Sequence, residues 1–117
     1  MSAGEPTRGP AGSFRSSVRF DPERAVVANV AAEDGTTVFV VCLDVDQALS
    51  EHPAPADLTL LIIEGQPAIT VADTTTVTTA GDVMVMGLGT LHSLAAGSQR
   101  AVVVGVLHTR PSRSVPE

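Results

Sequence analysis

Residues 81–92 read Gly81-Asp82-Val83-Met84-Val85-Met86-Gly87-Leu88-Gly89-Thr90-Leu91-His92. A short apolar run, Val83 to Met86, has the length and composition of a strand. Two glycines then mark a turn, and a histidine opens the next apolar segment. Outward from this stretch the pattern repeats. Strands are predicted over residues 25–31, 37–43, 58–64, 68–72, 75–79, 82–86, 92–95 and 101–107, with breaks at Glu33-Asp34-Gly35, Asp44-Val45-Asp46, Pro53-Ala54-Pro55, Gly65, Asp73-Thr74 and Gly97-Ser98. No amphipathic helix intervenes. Close strand spacing without helices argues for an antiparallel sandwich or barrel rather than a βαβ fold.

Two connections read as hairpins. Glu64-Gly65-Gln66 joins Leu60-Leu61-Ile62-Ile63 to Ala68-Ile69-Thr70-Val71, and Asp73-Thr74 separates that run from residues 75–79. Residues 58–63 are apolar on both faces apart from Thr59, so this strand is expected to be covered on both sides or to lie at a subunit interface.

The chain has 117 residues, a length suited to one domain. Residues 1–17 and 110–117 are rich in Pro, Gly, Ser and Arg and read as flexible tails flanking a barrel at 18–109. There are no lysines, and all seven arginines lie outside residues 25–99, which carry acids only. With a net charge of −6, neither nucleic acid nor an anionic membrane is an expected partner, since both need a cationic surface. No apolar run approaches the roughly 20 residues of a membrane span, and no secretion signal is legible, so the expected location is cytoplasmic. Cys42, the single cysteine, sits in Phe39-Val40-Val41-Cys42-Leu43 and reads as a small buried hydrophobe. Met84 and Met86 share one strand face as core fillers, and residues 74–79 are a threonine-rich hairpin face.

Three histidines remain: His52, His92 and His108. Residues 48–107 resemble the cupin superfamily, in particular the small single-domain conserved-barrel cupins. Gly81, Gly89 and His92 fall on the spacing of the second cupin motif, with Gly87 where proline is usual and Ala96 where asparagine is usual. His52 and Gly65 fit the first histidine and final glycine of the first motif. Ala54 stands at its second histidine, Leu58 at its glutamate and Asp46 at its opening glycine. The resemblance implies an all-β, double-stranded β-helix (jelly-roll) barrel and a homodimer. It also implies a site that in cupins holds Fe, Mn, Ni, Zn or Cu with three histidines and a glutamate.

Only two of those four positions are kept here. Two neutral imidazoles hold a divalent ion weakly, since catalytic zinc takes three protein ligands and non-haem iron two histidines with a carboxylate. Strand alternation turns Glu51 away from His52 and Asp57 away from Leu58, which leaves His108 as the best candidate third ligand. The expected function is binding of a small organic molecule in a pocket lined by His52, Ala54, Leu58 and His92, with an incomplete metal site and no assured cofactor. The alternative is a metal-dependent enzyme of dioxygenase, isomerase or cyclase type using His52, His92 and His108.

Overall fold

A computed structural model describes residues 11–109. The chain forms one short helix, α1 (Phe14–Ser17), and nine strands: β1 (Val26–Glu33), β2 (Thr36–Leu43), β3 (Ala48–Pro53), β4 (Asp57–Glu64), β5 (Ala68–Val71), β6 (Thr74–Val77), β7 (Val83–Met86), β8 (Leu91–Ala95) and β9 (Ala101–His108). They build two antiparallel sheets, ordered β1-β2-β9-β4-β7 and β3-β8-β5-β6. All-β architecture therefore follows the sequence expectation, and Val- and Thr-rich segments supply the β-branched side chains that fit a pleated, half-buried surface.

The main core lies between the sheets. From the five-stranded sheet it takes Val41, Leu43, Leu58, Leu60, Ile62, Met86, Ala101 and Val103, and from the other side Ala54, Ile69, Leu94 and Ala96. Alternate residues of β4 and β9 supply it, as the period of two requires. Burying each Leu or Ile contributes on the order of 1.5–3 kcal/mol. Met84 and Met86 both belong to this core, as read from the sequence.

The outer face of the five-stranded sheet carries a second apolar cluster, built on Val26, Val30, Val40, Cys42 and Val102 and capped by Phe14, Val18 and Phe20. Within the segment read as a flexible tail, residues 1–10 lie outside the described residues, whereas Phe14–Ser17 form α1 with Phe14 packed on this cluster. The segment 110–117 lies outside the described residues altogether. Arg100 holds the end of the covering segment. Its guanidinium stacks 4.3 Å from the centre of the Phe20 ring and its Nε donates to Asp44 at 3.0 Å. Gln47 adds a bond from Nε2 to the Asp21 carbonyl at 2.6 Å.

Two local expectations are corrected. The Glu64-Gly65-Gln66 connection is not a hairpin, because β4 pairs with β7 and β9 while β5 belongs to the other sheet. The other expected hairpin, at Asp73, is present, with Val71 paired to Thr74. And β3, residues 48–53, is a strand that the sequence pattern did not reveal. Its irregular register explains why: Leu49 pairs with Leu94 and His52 with His92, so two intervening residues share one partner position. Such a β-bulge breaks the alternation by which strands are recognised.

Candidate functional site

The bulge in β3 places the first candidate side chain. In an unbroken ladder, a strand with Leu49 facing the core would direct Glu51 inward and His52 outward. With the extra residue, Leu49, His52 and Ala54 all lie on the inner side, while Ser50 and Glu51 are exposed. Strand β8 supplies the partner, with His92 on the same side as core residue Leu94. The two imidazoles, forty residues apart in sequence, stand directly opposite one another. Their ring centroids are 4.3 Å apart and their planes are inclined by 57°. His92 is only 3% exposed, whereas His52 opens to solvent above it.

Each ring is held by a bond to the backbone two residues earlier. His52 Nδ1 lies 2.7 Å from the Ser50 carbonyl, and His92 Nδ1 lies 3.0 Å from the Thr90 carbonyl. A carbonyl can only accept, so both Nδ1 atoms carry the proton, and in the neutral rings both Nε2 atoms present a lone pair. The pair can thus accept two hydrogen bonds, or bind a cation, without moving either ring.

The remaining pocket positions lie at the same end of the barrel. Ala54 follows His52 by two residues and is locked to the turn before β8. Its N–H donates to the Thr90 carbonyl at 2.9 Å and its carbonyl accepts from Gly89 N–H at 2.8 Å. Leu58, at the start of β4, pairs with Met86 and Leu107 and is almost fully buried. In the four-stranded sheet the other neighbour of His92 is Val71. The surroundings of the two imidazoles are consequently aliphatic.

His108 does not join them. It pairs with Asp57 and Thr36 at the end of β9, one residue past Leu107, which packs on the inner core. Alternation turns His108 to the outer face, where Nδ1 meets Thr36 Oγ1 at 3.0 Å. Asp57 shares that face, and its Oδ1 accepts from Leu88 N–H at 2.9 Å. The expectation of His108 as third ligand therefore meets a geometric obstacle: a sheet separates it from His52 and His92. Among the described residues, no three His, Cys, Asp or Glu side chains cluster as metal ligands would. Cys42 is remote from the pair, in the outer cluster. Burial pushes its thiol pKa up, outweighing the backbone hydrogen bond and charge of Arg19 that lower it, and the charge of Glu64 adds a smaller push upward.

Two surface depressions lie away from the imidazoles. The larger, about 300 Å³, is bordered by Gln66, Ala68, Val77 and Gln99. The smaller, about 80 Å³, lies along Ala31, Glu33 and Val38. No helix among the described residues is long and apolar enough to cross a membrane.

Comparison with solved structures decides the fold. The structure superposes on a cupin superfamily protein from Desulfitobacterium hafniense with a TM-score of 0.73 at 18% identity, over 81% of this chain and 86% of that one. The chain has the cupin fold. A conserved protein with a double-stranded beta-helix domain from Klebsiella pneumoniae gives a TM-score of 0.74 at 21% identity, covering 82% of this chain and 86% of the other. KdgF from Halomonas sp. gives 0.74 at 16% identity, covering 89% and 96%. No protein-family model and no curated relative matches the sequence. At these identities the likeness carries the cupin barrel and leaves its chemistry to the residues themselves.

Proposed function

We propose that this cupin binds a small organic molecule at the barrel end marked by His52 and His92, the two rings serving as paired hydrogen-bond acceptors and Ala54 and Leu58 as apolar wall. The observation that supports the reading is the placement of the rings, 4.3 Å apart with each Nδ1 tied to a carbonyl. Where a full-ligand cupin would present a further histidine and a glutamate, this chain presents a methyl group and an isobutyl group, which favour contact with carbon over coordination of a cation. The ligand class that fits is a small, uncharged molecule carrying two neighbouring donor groups, such as hydroxyls or amides. No lysine or arginine of residues 25–99 is available to neutralise an anion there.

The test is a histidine-ring ¹⁵N spectrum recorded while small diols and amides are titrated in. A binder shifts the Nε2 resonances of His52 and His92 together and leaves His108 still, and His92→Ala removes binding. Binders that move neither ring overturn the reading.

A metal-dependent reading has one specific observation in its favour. Metal-bound histidines commonly donate the other ring N–H to a carbonyl, as both of these rings do. His52 and His92 would hold the ion, which would supply Lewis-acid or oxygen-activating chemistry, with further ligands drawn from water or substrate rather than from His108. Metal analysis of protein purified without a histidine tag separates the two. Near-stoichiometric metal that is lost in His52→Ala would replace the first reading with the second.

A further inference from the structure

Neighbouring strands of the five-stranded sheet bring unlike chemistry together at one corner of its outer face. In register across β2, β9 and β4, Thr36 pairs with His108 and His108 with Asp57. All three lie on the outer side, since Val38 and Val104 of that side pack in the outer cluster while Leu58 and Leu107 belong to the inner core. The Thr36 hydroxyl meets His108 Nδ1 at 3.0 Å. With the hydroxyl as donor, Nδ1 is the bare ring nitrogen and Nε2 carries the proton. Asp57 is fixed by the Leu88 N–H, which donates to Oδ1 at 2.9 Å. A bond from Thr109 N–H to the Gly35 carbonyl, 2.8 Å long, ties the turn before β2 to the end of β9 and keeps Thr36 beside His108. On the far side of Thr36 lies the depression of about 80 Å³, bordered by Ala31, Ala32, Glu33, Val38 and Thr36 itself. The order across the sheet is therefore pocket, hydroxyl, imidazole, carboxylate.

We propose that this corner is an acyl-transfer site for small neutral or cationic esters, with Thr36 as nucleophile, His108 as general base and Asp57 as a positioning residue. A threonine hydroxyl is a weak nucleophile until a base within hydrogen-bond reach takes its proton, and His108 Nδ1 is within that reach. As Thr36 Oγ1 bonds to the ester carbonyl carbon, its proton passes to Nδ1. The carbonyl electron pair moves onto oxygen and returns as the bond to the leaving alcohol breaks, and the alcohol oxygen takes the proton from Nδ1. Water then attacks the acyl-threonine and gives a proton to the same nitrogen. The proton returns to Thr36 Oγ1 as the carboxylic acid leaves. Asp57 sets its negative charge beside the imidazolium that forms in both steps. The depression next to Thr36 is far smaller than the roughly 300 Å³ at which ordinary ligand pockets begin, so it suits a short acyl chain. Glu33 in its wall, Asp34 in the turn and Asp57 repel an anionic substrate, and residues 25–99 hold no lysine or arginine to offset them. The site uses neither His52 nor His92 and stands independently of what they bind.

The experiment incubates the full chain with p-nitrophenyl acetate or butyrate, follows nitrophenolate release and locates the acyl group by peptide mass mapping. The expected result is a burst of nitrophenolate approaching the chain concentration, then slow turnover, with the acyl group on Thr36. Thr36→Val replaces the hydroxyl by a methyl group of similar size and should abolish both burst and label, whereas Thr36→Ser should keep them. General-base assistance is typically worth about 10²–10⁴-fold, so His108→Gln should slow acylation by about that factor. Asp57→Asn keeps an oxygen for the Leu88 N–H and loses only the charge; it should lower kcat while KM and the melting temperature stay unchanged. Val38→Phe should narrow the depression and disfavour butyrate relative to acetate. Thr74→Val, at an exposed threonine of the other sheet, should behave as wild type. A wild type without a burst overturns the proposal, as does a burst that survives Thr36→Val or an acyl group carried by an imidazole or another hydroxyl in place of Thr36. Should circular dichroism show Thr36→Val to be unfolded, His108→Gln decides the same question, because acylation that proceeds unslowed without the base overturns it.

Discussion

Gly65→Ala should be among the most damaging small substitutions in this chain, and the structure says by how much. Gly65 follows β4 with φ of +86°, in the left-handed region. A methyl group there costs about 1–2 kcal/mol from backbone sterics alone. The added Cβ would also overlap the Arg100 carbonyl oxygen and reach 3.0 Å from Ala101 Cα. Both are main-chain atoms at the start of β9, so no side chain can swing aside, and overpacking of this kind adds about 1–3 kcal/mol. The expected loss is therefore about 2–5 kcal/mol, a large part of the roughly 5–15 kcal/mol that holds a domain of this size together. Gly89 is the control. Its φ is also +86°, yet a Cβ there meets nothing within 4 Å, so Gly89→Ala should cost only the backbone contribution, about 1–2 kcal/mol. Urea unfolding followed by far-ultraviolet circular dichroism gives both values; tryptophan and tyrosine fluorescence cannot serve, since the chain has neither residue. Equal losses for the two variants would refute the close approach of the β4 end to Arg100.

Acid sensitivity has a named contributor. The hydrogen bond from Arg100, helped by the Val45 N–H, lowers the Asp44 pKa below its ordinary 3.8. A depressed carboxylate contributes stability that is fully present above that ordinary value and is lost as pH falls through the folded-state value. Asp44→Asn should therefore lower the melting temperature near neutral pH, and the gap between the two proteins should close in strong acid; a gap that widens on acidification would contradict the pairing. Cys42 should resist a thiol reagent such as dithiobis-nitrobenzoate in the folded protein and react promptly in urea, since it is buried and its thiol pKa is raised; rapid labelling under native conditions would show that the α1 segment opens.

The sequence was most legible where residue chemistry and strand periodicity coincide. Gly81, Gly89 and His92 lie on the turn and strand that their spacing suggests, and β2, β4, β7 and β9 are apolar enough to stand out. That same apolarity hid the orientation of His108. With one core on the inner face and another on the outer, Ala101-Val-Val-Val-Gly-Val-Leu107 is apolar throughout and offers no phase from which to count. The Gly65 connection looked like a hairpin because both its arms are apolar, and apolarity does not say which sheet a strand will join. β3 was illegible for a third reason: Ala48-Leu49-Ser50-Glu51-His52-Pro53 contains one residue too many for regular alternation. The pairing of His52 with His92 is a consequence of that surplus, and no pattern of residue types announces it.

The surplus residue has a bearing on how this barrel tolerates changes of length. Strands usually reject a deletion, because losing one residue turns every later side chain to the wrong face. At residues 50–51 the reverse holds: shortening β3 by either one restores a regular ladder and leaves His52 facing His92. Ironing out the bulge at constant length would instead bring Glu51 opposite His92, exchanging an imidazole for a carboxylate without a single substitution. The chemistry at the mouth of the barrel is thus set by counting along the backbone as much as by which residues the chain contains.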